Sequence, residues 1–247
     1  MSLPSRGLAY IVVAGACWQQ PDGEAQNGTR LTARPGTPTQ TVAAGTTTVS
    51  DGALSAVLYV PAGVTRDRPA PLVVFLHGAN RVVDHFVDVH KSAADSADVI
   101  VLAPYARAGT WDAIRGGFGP DPAIIDAALR WTFERWSIDP ARIVLSGFSD
   151  GATYALALGR ANGDLFSKVV AYSPGFLIDV AAKGTPSILI THGRADAILP
   201  IDATSRVIVP ALRGIGYSVD YREFDGPHRV PQGVLHELIR GLGGSSD

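Results

Sequence analysis

Apolar positions along the chain follow two successive patterns. Toward the N-terminal end, residues 46–50 and 53–60 alternate or run apolar on either side of Asp51-Gly52, a dipeptide of the kind that closes a β-hairpin. Beyond Pro71 the pattern changes to short, nearly continuous apolar runs at 72–77, 99–103, 142–147, 168–172, 187–191 and 218–224. Between them lie stretches with helical periodicity, at 84–97, 122–136, 151–162, 203–215 and 230–242. A strand buried on both faces needs such a continuous run, so strand alternating with helix predicts an α/β fold. The expected architecture is a mostly parallel, twisted sheet with helices on both faces, opened by an antiparallel hairpin. Asp121-Pro122 predicts a helix start with Asp121 as the capping carboxylate, and Asp202 reads in the same way as the cap of the 203–215 helix. No internal repeat or low-complexity block interrupts the pattern.

Composition narrows the class. With 247 residues, 46% of them apolar and 18% charged, the chain can bury one large core, so a single domain is expected over 31–247. A formal net charge of -2 without any Lys/Arg cluster gives no footprint for nucleic acid or for an anionic membrane surface. The one cysteine, Cys17, excludes an internal disulfide and a multi-cysteine metal site, and no pair of histidines shows ligand spacing, so neither metal nor cofactor is expected. Gly116-Gly117-Phe118-Gly119-Pro120 lacks the spacing of a phosphate-binding loop.

Residues 1–30 are set apart as leader or linker. Arg6 precedes an apolar run over 7–16, and Ala14-Gly15-Ala16 supplies small residues of the kind signal peptidases accept. A signal peptide over 1–16 would place the protein outside the cytoplasm, as a secreted, periplasmic or Cys17-lipidated molecule, although Ala14 stands where lipidation needs a branched residue. The competing expectation is a cytoplasmic protein in which 8–13 forms a first strand. No run after this segment is long and apolar enough for a membrane span.

The chemistry is concentrated at the ends of the apolar runs. Gly147-Phe148-Ser149-Asp150-Gly151 follows the run 143–145 almost directly and leads into a helical stretch. Such a turn lifts a serine hydroxyl above the carboxyl edge of a sheet, with glycines two residues to either side leaving room for the sharp bend. It also aims the Asp150 N–H toward a developing oxyanion. The second oxyanion amide is expected from Ala79, in Leu76-His77-Gly78-Ala79-Asn80 after an earlier strand; His77 reads as a structural turn residue. The remaining partners should follow in the order serine, acid, histidine. His192-Gly193-Arg194-Ala195-Asp196 leaves one later strand and offers Asp196 as the acid, and Asp225-Gly226-Pro227-His228 leaves the next and offers His228 as general base. His85, His90 and His236 fall in helical stretches, and His192 reads as a turn residue like His77. The loop 105–120 carries Trp111 and Phe118, candidates for the wall of an acyl pocket.

At 71–80, 147–176 and 192–231 the chain resembles the phospholipase/carboxylesterase group of α/β hydrolases, particularly small bacterial serine esterases. The resemblance implies a triad at Ser149, Asp196 and His228, oxyanion amides at Ala79 and Asp150, and cofactor-free hydrolysis of small or polymeric carboxylic esters. Asp150 departs from the glutamine common in acyl-protein thioesterases and lysophospholipases, which argues against those narrower activities. Only residues 175–185 separate Ser173-Pro174 from the next strand, so no lid domain is expected and the site should accept short or varied acyl and aryl esters. A polymer depolymerase or feruloyl-type esterase is the alternative within enzymology, peptidase action ranks below it, and a non-catalytic binding protein on the same fold is the alternative outside it.

Overall fold

The computed structural model describes residues 28–52, 54–79 and 83–243. The leader or linker reading of the first residues, Cys17 included, falls almost wholly outside them. Eight strands form one sheet: β1 Gly45–Asp51, β2 Leu54–Val60, β3 Ala70–Leu76, β4 Ile100–Pro104, β5 Ile138–Phe148, β6 Lys168–Tyr172, β7 Ser187–Gly193 and β8 Val219–Phe224. Their spatial order is β1-β2-β4-β3-β5-β6-β7-β8. The β1–β2 hairpin is antiparallel, with Thr47 opposite Leu58, and β2 also runs antiparallel to β4; every pairing from β4 to β8 is parallel.

Five longer helices are described: α1 Asp84–Ala97, α2 Asp121–Phe133, α3 Asp150–Ala161, α4 Ser205–Gly214 and α5 Gln232–Gly243. Because β3, β4, β6 and β7 are buried at nearly every position, both faces of the sheet are covered. One face packs Val73, Phe75, Val101 and Val170 under α1 and α5 through Val87, Ala94, Leu235 and Ile239. The other packs Leu72, Val74, Leu145 and Val169 under α2, α3 and α4 through Ile125, Leu129, Leu156, Ile208 and Leu212. The sheet order reverses between β3 and its two neighbours, and in open parallel sheets the crevice beyond the strands' carboxyl ends at such a point is where ligands bind.

Two capping expectations are corrected. Helix α2 begins at Asp121, but its carboxylate does not cap the helix: it accepts N–H bonds from Arg107 at 2.9 Å and Asp112 at 2.8 Å, fastening the loop that precedes the helix. A carboxylate with loop amides in reach satisfies those instead, and the helix start is left to Pro120. Asp202 lies in a single 3-10 turn, Ile201–Ala203, ahead of α4, and pairs with Arg206 at 2.6 Å. Ahead of the sheet, residues 29–33 form a strap across α2 and α3. Asn162 receives the Leu31 N–H and donates to the Thr29 carbonyl, each at 2.8 Å, while Asp126 receives the Thr32 and Ala33 N–H groups at 2.7 Å.

Candidate active site

Parallel pairing puts the carboxyl ends of β3, β5, β6, β7 and β8 along one rim, and the loops leaving β5, β7 and β8 carry Ser149, Asp196 and His228. Ser149 joins β5 to α3 with φ 57° and ψ -118°, a conformation in which an L-residue is strained. The two flanking glycines have a packing reason in addition to the bend. A Cβ on Gly147 would lie 2.2 Å from the Gly151 carbonyl oxygen, and one on Gly151 would lie 2.1 Å from that of Leu76. The elbow is therefore wedged against both its own strand and the end of β3, and the Ser149 N–H is stitched to the Tyr172 carbonyl of β6 at 2.9 Å. Strain at Ser149 persists because its surroundings leave no other path.

The other two loops are joined to each other. A Cβ on Gly193 would meet the Gly226 carbonyl oxygen at 2.4 Å, and this close approach lets Arg194 N–H bond Phe224 at 2.9 Å and Ala195 N–H bond Gly226 at 3.0 Å. The acid loop and the base loop thus leave the sheet as one layer. His228 Nδ1 donates to Asp196 Oδ2 at 2.6 Å, and His228 Nε2 lies 2.9 Å from Ser149 Oγ. The Phe148 ring packs at 4.6 Å against the His228 imidazole. The structure therefore brings Ser149, His228 and Asp196 into one hydrogen-bonded line.

Asp196 is only 5% exposed, and burial works to raise its carboxyl. The Leu199 N–H, the His228 bond and the Ile198 N–H together outweigh that cost and hold it below the usual carboxylate range. It stays ionised, as an anion facing an imidazole must if it is to support a positive charge there. The Asp150 N–H opens α3, at the position where a helix amide has no intrahelical acceptor. The loop at Gly78 runs beside the elbow, since a Cβ on Gly78 would lie 3.3 Å from that of Ser149, and Ala79 follows as an exposed residue. The loop that carries Ala79 therefore passes beside the elbow that carries Asp150.

The aromatic wall expected from Trp111 is not there. Trp111 is fully buried, stacked between His77 at 4.8 Å and Tyr154 at 5.1 Å, with its indole N–H donated to the His77 carbonyl at 2.8 Å. A ring with no free face packs the loop and touches no substrate. Phe118 lies half-buried on Tyr154 and the same core. The apolar side chains that do stand in solvent at this rim are Phe176, 46% exposed after β6, and Ile198, 69% exposed two residues beyond Asp196. Their signal in the sequence was only that they sit in loops after apolar runs.

His77 is structural: its Nδ1 donates to the Gly78 carbonyl at 2.6 Å and its Nε2 accepts the Ala106 N–H at 3.0 Å. His192, read as a turn residue, is instead fully buried beside the acid, with Nε2 3.2 Å from Asp196 Oδ2. Thr110 donates to the Asp150 carboxylate at 2.5 Å and moors the 105–120 loop to the start of α3. Among the described residues no group of acidic, histidine or cysteine side chains could hold a metal ion, and no helix is long and apolar enough to cross a membrane.

Fold and site together give an α/β-hydrolase fold with an assembled serine–histidine–aspartate constellation. No family model matches the chain. Among curated proteins it is 31% identical over 158 residues to a probable feruloyl esterase C of Aspergillus oryzae, covering 59% of this chain and 56% of that one. It is 28% identical over 145 residues to an acetylxylan esterase of Coprinopsis cinerea, covering 54% and 38%. The chain thus spans about half or less of the length of these relatives. Among solved structures, a thermostable esterase is 26% identical with a TM-score of 0.58, covering 73% of this chain and 54% of that one. An S-formylglutathione hydrolase of Staphylococcus aureus, 13% identical, superposes with a TM-score of 0.66 over 82% of this chain and 99% of that one. A ferulic acid esterase of Anaeromyces mucronatus, solved with ferulic acid, is 17% identical with a TM-score of 0.63 over 82% and 90%.

Proposed function

We propose that this chain is a serine carboxylesterase working through an acyl-enzyme. The observation that carries the reading is the unbroken line from Asp196 Oδ2 to His228 Nδ1, at 2.6 Å, and from His228 Nε2 to Ser149 Oγ, at 2.9 Å. As Ser149 Oγ attacks the ester carbonyl, His228 Nε2 takes its proton and the imidazolium is stabilised by Asp196. The carbonyl oxygen gains negative charge within reach of the Ala79 and Asp150 amides, which are fixed before the reaction starts. Collapse of the tetrahedral species breaks the ester C–O bond, and His228 returns the proton to the leaving alcohol. Water then repeats the cycle on the acyl-serine and releases the acid.

Residues 173–186, between β6 and β7, carry no helix or strand, so no lid domain is inserted at that point. Phe176 and Ile198 supply the exposed apolar surface beside it, suited to a short acyl or an aryl group. The names of the relatives favour one narrower reading, hydrolysis of feruloyl or acetyl esters, on small or polymeric substrates. Measuring hydrolysis of acetyl, feruloyl and long-chain acyl esters tests this: short and aryl esters should turn over fastest, and preference for long chains overturns the substrate reading. A fluorophosphonate should modify wild-type protein and leave Ser149→Ala unmodified. Absence of labelling in folded wild type would make the chain a binding protein on a hydrolase scaffold.

A further inference from the structure

The acid of the triad has a second imidazole behind it. His192 ends β7 with no solvent exposure, and its Nε2 lies 2.8 Å from the Leu199 carbonyl oxygen and 3.2 Å from Asp196 Oδ2. Its Nδ1 lies 2.6 Å from the hydroxyl of Ser205, itself fully buried at the start of α4. The protons can be placed from these partners. A carbonyl and a carboxylate only accept, so His192 Nε2 must carry hydrogen. Burial pushes this imidazole below the ordinary histidine range despite the favourable Asp196 charge, so it is neutral and its Nδ1 accepts from Ser205. Serine, imidazole and carboxylate therefore occur on both sides of Asp196, as Ser205–His192–Asp196 and as Asp196–His228–Ser149. Only the second serine is reachable by a substrate, because Ser205 is sealed inside the core.

We infer that His192, oriented by Ser205, is a positioning residue for the proposed hydrolysis: its Nε2–H, donated to the Leu199 carbonyl, fastens the turn whose amides seat the Asp196 carboxylate against His228 Nδ1. Oδ1 of Asp196 is held by the Ile198 and Leu199 N–H groups at 2.9 and 2.8 Å, and Oδ2 accepts from His228 Nδ1, with His192 Nε2 3.2 Å away. The backbone pair sets where the carboxylate sits, and His192 holds the Leu199 carbonyl of the same turn in place. The ionisable groups facing His192 are Asp196 and His228. Removing the donor would free the Leu199 carbonyl and loosen the turn that seats the carboxylate, so Asp196 would support the imidazolium less well.

The inference rests on the esterase reading for its kinetics but not for its structural half, and the experiment separates them. His192→Leu removes the donor, while His192→Gln keeps an N–H at the position of Nε2. Proton NMR of the resting protein follows the His228 Nδ1–H resonance, and ester hydrolysis is followed against pH. In His192→Leu the resonance should shift or be lost to exchange, kcat should fall roughly ten- to hundredfold with KM little changed, and the acid limb of the kcat/KM profile should move downward. His192→Gln should restore the resonance and the acid limb and recover most of kcat. A His228 resonance and an acid limb identical to wild type in folded His192→Leu would overturn the inference, as would His192→Gln behaving no better than His192→Leu. If wild type neither hydrolyses esters nor reacts with a fluorophosphonate, the esterase reading falls, and the resonance still decides what His192 does to Asp196.

Discussion

Ser149 reaches its strained backbone only because two neighbours lack a Cβ, and that makes the elbow sensitive to a single methyl group. In Gly151→Ala the new Cβ would have to displace the Leu76 and His77 carbonyls, at 2.1 and 2.5 Å, which are backbone atoms and cannot swing aside. Overpacking of this kind costs about 1–3 kcal/mol or more, and the displacement would carry the Gly78–Ala79 loop with it. Activity should therefore fall further than stability. Comparing urea midpoints with fluorophosphonate labelling rates checks this, and equal proportional losses would contradict it. At Asp196 the expectation concerns charge: Asp196→Asn keeps the shape but can no longer anchor an imidazolium, so kcat should drop by roughly 10⁴ with little change in the far-ultraviolet dichroism.

Among elements, the loop between β4 and α2 is held by two carboxylates and one hydroxyl. Asp112 receives the Gly119 N–H at 2.9 Å, the Asp121 N–H at 2.8 Å and the Tyr154 hydroxyl at 3.1 Å, while Asp121 receives the Arg107 and Asp112 amides. Burial raises the Asp121 carboxyl, against the lowering effect of those amides, so the arrangement is maintained at some electrostatic cost. Asp112→Ala would strand the buried Tyr154 hydroxyl and release three backbone amides, those of Ala113, Gly119 and Asp121. It should destabilise the fold by about 2–3 kcal/mol and open the loop to trypsin at Arg107 or Arg115. Chemical denaturation and a timed digest would read the two effects, and a loop as resistant as in wild type would refute the hub role. The sequence displayed this loop as a Gly-rich connection with two aromatics and gave no sign of the carboxylates' partners, because Asp112, Asp121 and Tyr154 meet only after α2 and α3 pack. The same limit explains Trp111: exposure of a loop aromatic depends on what lies beneath it, here His77 and Tyr154.

At the scale of the whole molecule, what the chain displayed in advance was whatever depends on local order. Apolar runs located the parallel strands, Asp51-Gly52 located the hairpin turn, and the sequence Gly147 to Gly151 located the elbow because strand, turn and helix are neighbours in the chain. His192 could not be found that way, since its partners Asp196 and Ser205 come from the loop and the helix that follow β7. Stability against acid is likewise a property of distant partners. Hydrogen bonds from Arg206 bring Glu223 down to about 2, and Asp164, Asp126 and Asp196 are also lowered, their Arg, Lys, amide and imidazole donors outweighing burial. A carboxyl lowered in the folded state contributes stability that is present above its unfolded value of roughly 4 and lost as pH falls through its folded value. The melting temperature should thus hold above about pH 5 and decline steadily toward pH 2. Glu223→Gln should flatten part of that decline, and thermal scans across the range would show it; a curve unchanged by the substitution would remove Glu223 from the account.

The strap at residues 29–33 meets α3 at Asn162, the end remote from Ser149, and a helix of 12 residues puts roughly 18 Å between those two places. Whatever is joined to the molecule through Thr29 is therefore attached at its rear. A surface gripping the protein there would face the end of α3 opposite the Ser149 hydroxyl and leave the triad's rim uncovered.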